Sequence, residues 1–233
     1  MSSIYEREGQ DVVRPTAPHV AVTLVLDVSA SMNALARGST CIKLLNDGVN
    51  HLIEGLANDS DCRDIVDLSI IAFGQTARVY QRFSPVGSIE KVDFPANDNN
   101  TLVAEAIEMA NANLRSRTRE YRAVPFTPWM VIMTDGGFGD DLVQPGTISQ
   151  IGRDLKTRVS EGKLQTMCLG IGNEYDDSQL AQLSEHAYAL DNYDFKEFMG
   201  WLRKALAIIS KSKQGDDVDL GVPQGLMPMK TKS

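Results

Sequence analysis

Residues 20–31 read VAVTLVLDVSAS, and this stretch decides the fold. Its first eight residues are β-branched or apolar on both alternating sets of side chains. A strand with one wet face alternates apolar and polar residues, whereas a strand apolar on both faces is covered on both, as in the middle of a parallel sheet. The run stops at Asp27, after which Asp27, Ser29 and Ser31 alternate with Val28 and Ala30. Three oxygen-bearing side chains can therefore leave one side of the exit turn. A buried strand opening into such a turn marks an α/β unit whose polar site sits at the strand's carboxyl end.

Outward from that strand the pattern alternates. Ile42, Leu45, Val49, Ile53 and Leu56 fall at steps of three and four and predict a helix closed by Asn58 and Asp59. The β-rich runs 65–73 (IVDLSIIAF) and 77–83 (ARVYQRF) are separated only by Gly74, Gln75 and Thr76, which predicts a hairpin and hence one antiparallel strand. A helix opening at Thr101 carries Val103, Ile107, Ala110 and Leu114 on one face, and 128–135 (PWMVIMTD) reads as another buried strand. A helix through Ile148, Ile151, Leu155 and Val159 leads to a strand at 164–172. A short helix at 177–185, a strand at 187–190 and a last helix through Phe195, Phe198, Leu202, Ala205 and Ile209 complete the series. The expectation is an α/β, doubly wound, Rossmann-like sheet of six mostly parallel strands, with one antiparallel edge strand and helices on both faces. Residues 1–18 read as a flexible N-terminal arm, 19–210 as the domain and 211–233 as a flexible tail.

Composition narrows the class. The chain has 233 residues, 42% hydrophobic and 23% charged, enough for one well-buried domain and ordinary for a globular chain. A net charge of -8 argues against non-specific nucleic-acid binding, which requires neutralising phosphates. Cys41, Cys62 and Cys168 match no zinc or redox spacing, and each adjoins an apolar run, so they read as buried free thiols in a reducing compartment. The N-terminus lacks the apolar region of a signal peptide, and no run approaches the roughly 20 apolar residues of a membrane helix. The expected location is the cytoplasm, without membrane contact.

Two further polar groups fall at element ends. Residues 98–101 (DNNT) place Thr101 at a helix start, and 134–137 (TDGG) follow the strand expected beside the first. Ser29, Ser31 and Thr101 offer hydroxyls and Asp27 and Asp135 carboxylates, all hard oxygen donors that suit Mg²⁺, with Mn²⁺ or Ca²⁺ as alternatives, better than zinc. Taken singly, Asp-x-Ser-x-Ser is a common turn composition, Thr101 an N-cap and Asp135-Gly136 a turn. The signal is that all three fall where the expected fold brings loops together. If the hydroxyls bind directly and the carboxylates act through water, the cation keeps much of its charge. It then favours an anionic ligand such as a partner's Asp or Glu.

Asp27-x-Ser29-x-Ser31, then Thr101, then Thr134-Asp135-Gly136 resemble the metal-ion-dependent adhesion site (MIDAS) of von Willebrand factor A domains, over roughly residues 18–210. The resemblance implies that Ser29, Ser31 and Thr101 bind the metal directly and that Asp27 and Asp135 act through water. Asn99 and Asn100 precede Thr101 where the family often has glycine, Leu102 follows where it often has proline, and Ala30 stands where glycine is frequent. Within the family, 68–79 (LSIIAFGQTARV), 134–141 (TDGGFGDD) and 195–206 (FKEFMGWLRKAL) are similar to bacterial tellurite-resistance, TerY-type proteins. That likeness implies a non-catalytic interaction module of a stress, tellurite-resistance or phage-defence system, with phosphatase-like or kinase-like protein partners.

Other features carry less. Residues 170–177 (GIGNEYDD) lack a third glycine and any Gly-Lys-Ser/Thr, so they read as a strand-to-helix turn. His19, His51 and His186 form no ligand set, and Gly-x-Ser-x-Gly is absent. The basic run 115–122 (RSRTREYR) reads as a solvated helix end, with an acidic partner or nucleic acid as the other reading. Asp140 and Asp141 read as a helix start rather than a second cation site. The rival to the interaction module is a Mg²⁺-dependent phosphoryl transferase or hydrolase using the same pocket.

Overall fold

The computed structural model describes residues 18–96, 100–190, 192–212 and 226–228. Strand β1 (Val20–Asp27) is buried along its whole length. A short 3₁₀ turn (Ala30–Asn33) leads into a small ribbon, β2 (Leu35–Ala36) and β3 (Ser39–Thr40). There follow α1 (Cys41–Ala57), β4 (Val66–Phe73), β5 (Ala77–Pro85), α2 (Ala104–Glu120) and β6 (Trp129–Thr134). The chain continues through α3 (Asp140–Val143), α4 (Thr147–Ser160), β7 (Gln165–Ile171), α5 (Asp177–Leu183), β8 (Ala187–Leu190), α6 (Phe195–Lys211) and β9 (Met227–Pro228).

The main sheet runs β5-β4-β1-β6-β7-β8-β9. β4, β1, β6, β7 and β8 are parallel, and β5 pairs antiparallel with β4 at one edge. This is the six-stranded, doubly wound arrangement expected from the sequence. The two-residue β9 adds an antiparallel pairing on β8 at the other edge. It comes from the stretch read as a flexible tail, and Leu226 beside it is buried. Residues 1–17 of the expected arm, and the rest of the tail beyond Ser212, lie outside the described residues.

Alternation along β1 shows why both of its faces are apolar. Val20, Val22, Leu24 and Leu26 pack into the layer made by α1 and α6, whereas Ala21 and Val25 pack into the layer made by α2, α4 and α5. Each fully buried aliphatic side chain contributes roughly 1.5–3 kcal/mol, so the strand is a large share of the core. Helices approach closely at glycines. A Cβ at Gly48 of α1 would lie 2.6 Å from the Cβ of Phe195 on α6, and one at Gly152 of α4 would strike the Gln182 carbonyl of α5.

Several features were not legible beforehand. In the β2–β3 ribbon, Arg37 and Gly38 take positive φ of 50° and 78°, as a two-residue hairpin turn requires. The helix expected to open at Thr101 begins at Ala104. Leu102 N–H donates to the Gly74 carbonyl (2.8 Å) and Gly139 N–H to the Thr101 carbonyl (2.8 Å), which ties the Thr101–Leu102 peptide to both neighbouring loops ahead of the helix. The helix is instead capped from a distance: the Asp140 carboxylate accepts from Val103 N–H (2.8 Å) and Ala104 N–H (2.9 Å). Asp140 does start α3, as expected, but its side chain serves α2, and Asp141 accepts from Ile148 N–H of α4 at 3.0 Å.

The basic run 115–122 is likewise not a uniformly solvated helix end. Arg117 folds inward and donates through Nε and Nη2, each at 3.2 Å, to Asp67 Oδ2, which is fully buried on β4. The Tyr121 hydroxyl donates to the same oxygen, and His19 Nδ1 lies 3.2 Å from it. A buried carboxylate needs such a cation and donors to be tolerated. The three cysteines are buried and free, as expected, and burial pushes the Cys41 thiol up to about 12.

Because Gly152 meets backbone rather than a yielding side chain, Gly152→Ala is expected to destabilise the domain by about 1–3 kcal/mol through overpacking. An unchanged denaturant midpoint would show that α4 and α5 can separate freely.

Candidate metal centre

β1 lies between β4 and β6, so the order of connection reverses there and the loops after β1 and β6 diverge over its carboxyl end. Such switch points open a crevice in doubly wound sheets. Asp27 is the last residue of β1 and is fully buried, Ser29 and Ser31 follow in the exit turn, and Asp135 follows β6 directly.

The geometry is a connected set of oxygens. Ser29 N–H donates to Asp27 Oδ1 at 2.9 Å, closing the turn that turns the serines back over the strand end. The two serine hydroxyls are 2.9 Å apart, and Ser31 Oγ donates to Asp135 Oδ1 at 2.8 Å. Thr134 Oγ1 lies 2.6 Å from Asp27 Oδ2 and 3.1 Å from the Gly136 carbonyl. It has one proton, and the shorter contact to a carboxylate takes it. Gly136 N–H then donates back to Thr134 Oγ1 at 3.2 Å. Both oxygens of Asp27 are thus engaged, which fixes its orientation from two strands.

Four of the five candidate ligands are therefore joined by direct hydrogen bonds: Asp27, Ser29, Ser31 and Asp135. Thr101 is brought to the same end of the sheet by its backbone, strung between Gly74 after β4 and Gly139 after β6. The neighbouring Asp98 and Asn99 lie outside the described residues. Thr134 was quoted in the motif but not counted as a site residue, although it ties the two acidic strand ends together. Nothing in the residue types alone separates that role from an ordinary strand-end threonine.

The approach to the site is also built by side chains that sequence reasoning passed over. Asn46 and Asn50, one helical turn apart on α1, are buried and bond the backbone of the segment leading toward Thr101. Asn46 accepts from Phe94 N–H at 2.8 Å and donates to its carbonyl at 3.0 Å; Asn50 does the same for Val92 at 2.9 and 2.8 Å. On the other flank Asn33 Nδ2 donates to the Ala96 carbonyl at 2.5 Å, and Arg37 pairs with Asp194 at 3.0 Å. Their polarity on an amphipathic helix was the available signal for Asn46 and Asn50.

Electrostatically, neither Asp27 nor Asp135 has an ion-pair partner among the described residues. Burial raises the Asp27 carboxyl above the ordinary range despite its bonds to Ser29 and Thr134. Burial, and then the Asp27 charge, push Asp135 up to about 6, with Glu174 after β7 adding to the same effect. Asp27 and Glu174, whose charges bear on Asp135, are both acidic. Buried acids are ordinarily paired with a base, as Asp67 is with Arg117. Here the oxygen-only donor set and the crowded negative charge fit a hard divalent cation.

In metal-free solution the folded state therefore holds the Asp135 proton up to about pH 6, whereas the unfolded chain releases it near 3.8. The cost of ionising it inside the fold is present above the folded value and is relieved as pH falls toward the unfolded one. Chelator-treated wild type is expected to gain stability relative to Asp135→Asn as pH drops from about 7.5 to about 5. Parallel pH profiles would show that Asp135 ionises normally.

Comparison with known proteins bears on the fold. The chain resembles proximal thread matrix protein 1 from the mussel byssus, at 19% identity and a TM-score of 0.59, over 84% of this chain and 48% of that one. Another structure of the mussel protein, with zinc occupying its MIDAS motif, matches at 18% identity and 0.58, over 82% and 46%. The pilus adhesin SpaC from Lactobacillus rhamnosus GG matches at 15% identity and 0.65, over 84% and 31%. The chain spans about half or less of the length of these neighbours. No curated protein sequence matches it. A sequence profile of the von Willebrand factor type A domain matches residues 21–201, and the chain belongs to that family.

Proposed function

We propose that the domain is a non-catalytic, metal-dependent protein-interaction module. The observation that carries this reading is the linking of buried Asp27 and half-buried Asp135 through serine hydroxyls, with no ion-pair partner for either acid among the described residues, at the sheet's switch point. Ser29, Ser31 and Thr101 would hold a divalent cation, Mg²⁺ first and Mn²⁺ or Ca²⁺ as alternatives, and Asp27 and Asp135 would orient its waters. Bound there, the cation supplies an open, positively charged coordination position suited to an Asp or Glu carboxylate of a protein partner. The chain's own part is to present neutral hydroxyls, keep Asp27 fixed through Thr134 and Ser29, and hold the strand ends together. Zinc in the MIDAS motif of the mussel protein supports a divalent metal without deciding which one this chain uses.

The finer setting rests on the TerY-type likeness of residues 68–79, 134–141 and 195–206. On that basis the module would serve a bacterial stress, tellurite-resistance or phage-defence system in the cytoplasm, with phosphatase-like or kinase-like partners. Among the described residues no helix is long and apolar enough to cross a membrane.

Calorimetric titration of Mg²⁺ and Mn²⁺ tests the reading. Wild type is expected to bind one equivalent, and Ser29→Ala/Ser31→Ala to lose at least about tenfold in affinity, the order of effect seen when groups around a metal are removed. Equal binding by both proteins would remove these serines from the site. Phosphate release from ATP or simple phosphoesters, abolished by Asp27→Ala, would replace the interaction module by the enzyme reading.

A further inference from the structure

At the opposite end of the sheet from Asp27, the last turns of α2 and α4 border a cleft of about 490 Å³. Arg115 and Arg119 enter it from α2, and Arg158 and Lys163 from the end of α4 and the turn after it. Its floor is apolar, with Phe126 buried and Val124 69% exposed. The volume is within the range of small-ligand sites, about 300–1,000 Å³.

The charges there are unbalanced. Among the described residues, Arg115 and Arg119 form no ion pair, and the acid lining the cleft, Glu161, is tied to Lys163 at 2.9 Å. Arg158 is only 9% exposed, yet its guanidinium is held by neutral groups, the Asn111 side-chain oxygen and the Lys163 carbonyl at 3.4 Å, rather than by a carboxylate. Burial lowers its affinity for the proton, the Arg115 charge lowers it further, and the Glu161 charge opposes both. The hydrogen bonds of Arg158 among the described residues go to neutral groups, which leaves its charge available to an external anion.

The size of the excess is informative. Two helix carboxyl ends point toward the cleft, each worth roughly half a negative charge. Set with Glu161 against the four cations of the cleft lining, they leave roughly two positive charges before Glu108 and Asp154 of the adjoining groove are counted. Arg115 and Arg158 also line the adjoining groove between α2 and α4 with Glu108 and Asp154, which limits the positive field on that side.

We propose that this cleft binds a phosphate-type oxyanion carried on an apolar body, with Arg115, Arg119 and Arg158 gripping the anion and Val124 and Phe126 contacting the apolar part. Guanidinium forks match phosphate oxygens bidentately, and a dianion meets the excess charge. The ligand is a small organic phosphate or a phosphorylated side chain of another protein, two sources of the same chemistry. The cleft is separate from the oxygen cluster and does not depend on a metal.

The test is calorimetry in chelator with phenyl phosphate, inorganic phosphate and phenol as probes. Phenyl phosphate is expected to bind at least about tenfold more tightly than either of the others, and to weaken as salt is raised. Arg115→Gln/Arg119→Gln, which alters two exposed side chains, is expected to cost at least about tenfold in affinity, because each forms charge-assisted bonds. Arg158→Gln is expected to abolish binding, with thermal unfolding confirming a folded variant. A phosphotyrosine tripeptide binding more tightly than phenyl phosphate would assign the source as a modified protein, and equal affinity would assign a small organic phosphate. No saturable binding at millimolar phenyl phosphate, or equal binding by wild type and Arg115→Gln/Arg119→Gln, would overturn the proposal.

Discussion

Two carboxylates tied into one hydrogen-bonded set, with no ion-pair partner among the described residues, are the constraint around which this domain is arranged. Asp27 closes a strand that is buried on both faces, and Asp135 leaves the neighbouring strand, so the parallel pairing of β1 and β6 itself brings the acids together. Ser31 links to Asp135 and Ser29 to Asp27, while Thr134 crosses from β6 to the far oxygen of Asp27. Such an arrangement places unfavourable negative charge at the strand ends, which a bound cation would relieve. That is the energetic argument for the proposed cation site, and Asp67 provides the contrast within the same sheet. There a buried acid is neutralised internally by Arg117, and the result is structural.

The loops over the strand ends are not left to float. Thr101 is suspended between Gly74 and Gly139 by two backbone bonds, and Asp140 reaches across to cap α2. Asn46 and Asn50 serve as side-chain surrogates for a neighbouring strand, binding the backbone at Val92 and Phe94. Site residues must be held closely to be useful, and rigid second contacts of this sort do the holding. The two ends of the sheet carry opposite characters: oxygen donors at the carboxyl end, guanidinium groups at the other.

What the sequence could reveal follows from where the information is stored. The two-sided apolar pattern of residues 20–27, the three-residue turn at 74–76 and the helical spacing of Phe195 through Ile209 are local, and each led to the element found. The antiparallel edge strand followed from the short turn alone. The candidate ligands were legible because strand-end placement and residue chemistry coincide at Asp27, Ser29, Ser31 and Asp135. The start of α2 was misplaced because its cap comes from Asp140, thirty-seven residues from the first N–H it accepts. Arg117 was read with its neighbours as solvated because its partner Asp67 is fifty residues away in the chain. The β2–β3 ribbon was missed because two-residue strands carry too short a pattern to register.

The central claim is that Asp27, Ser29, Ser31, Thr101 and Asp135 form one cation site. It is tested most directly by anomalous diffraction at the manganese edge from crystals soaked in millimolar Mn²⁺. The account predicts a single strong peak among these five side chains, abolished in crystals of Asp135→Asn. A well-diffracting soaked crystal with no peak there, or with its strongest peak elsewhere on the domain, would contradict it.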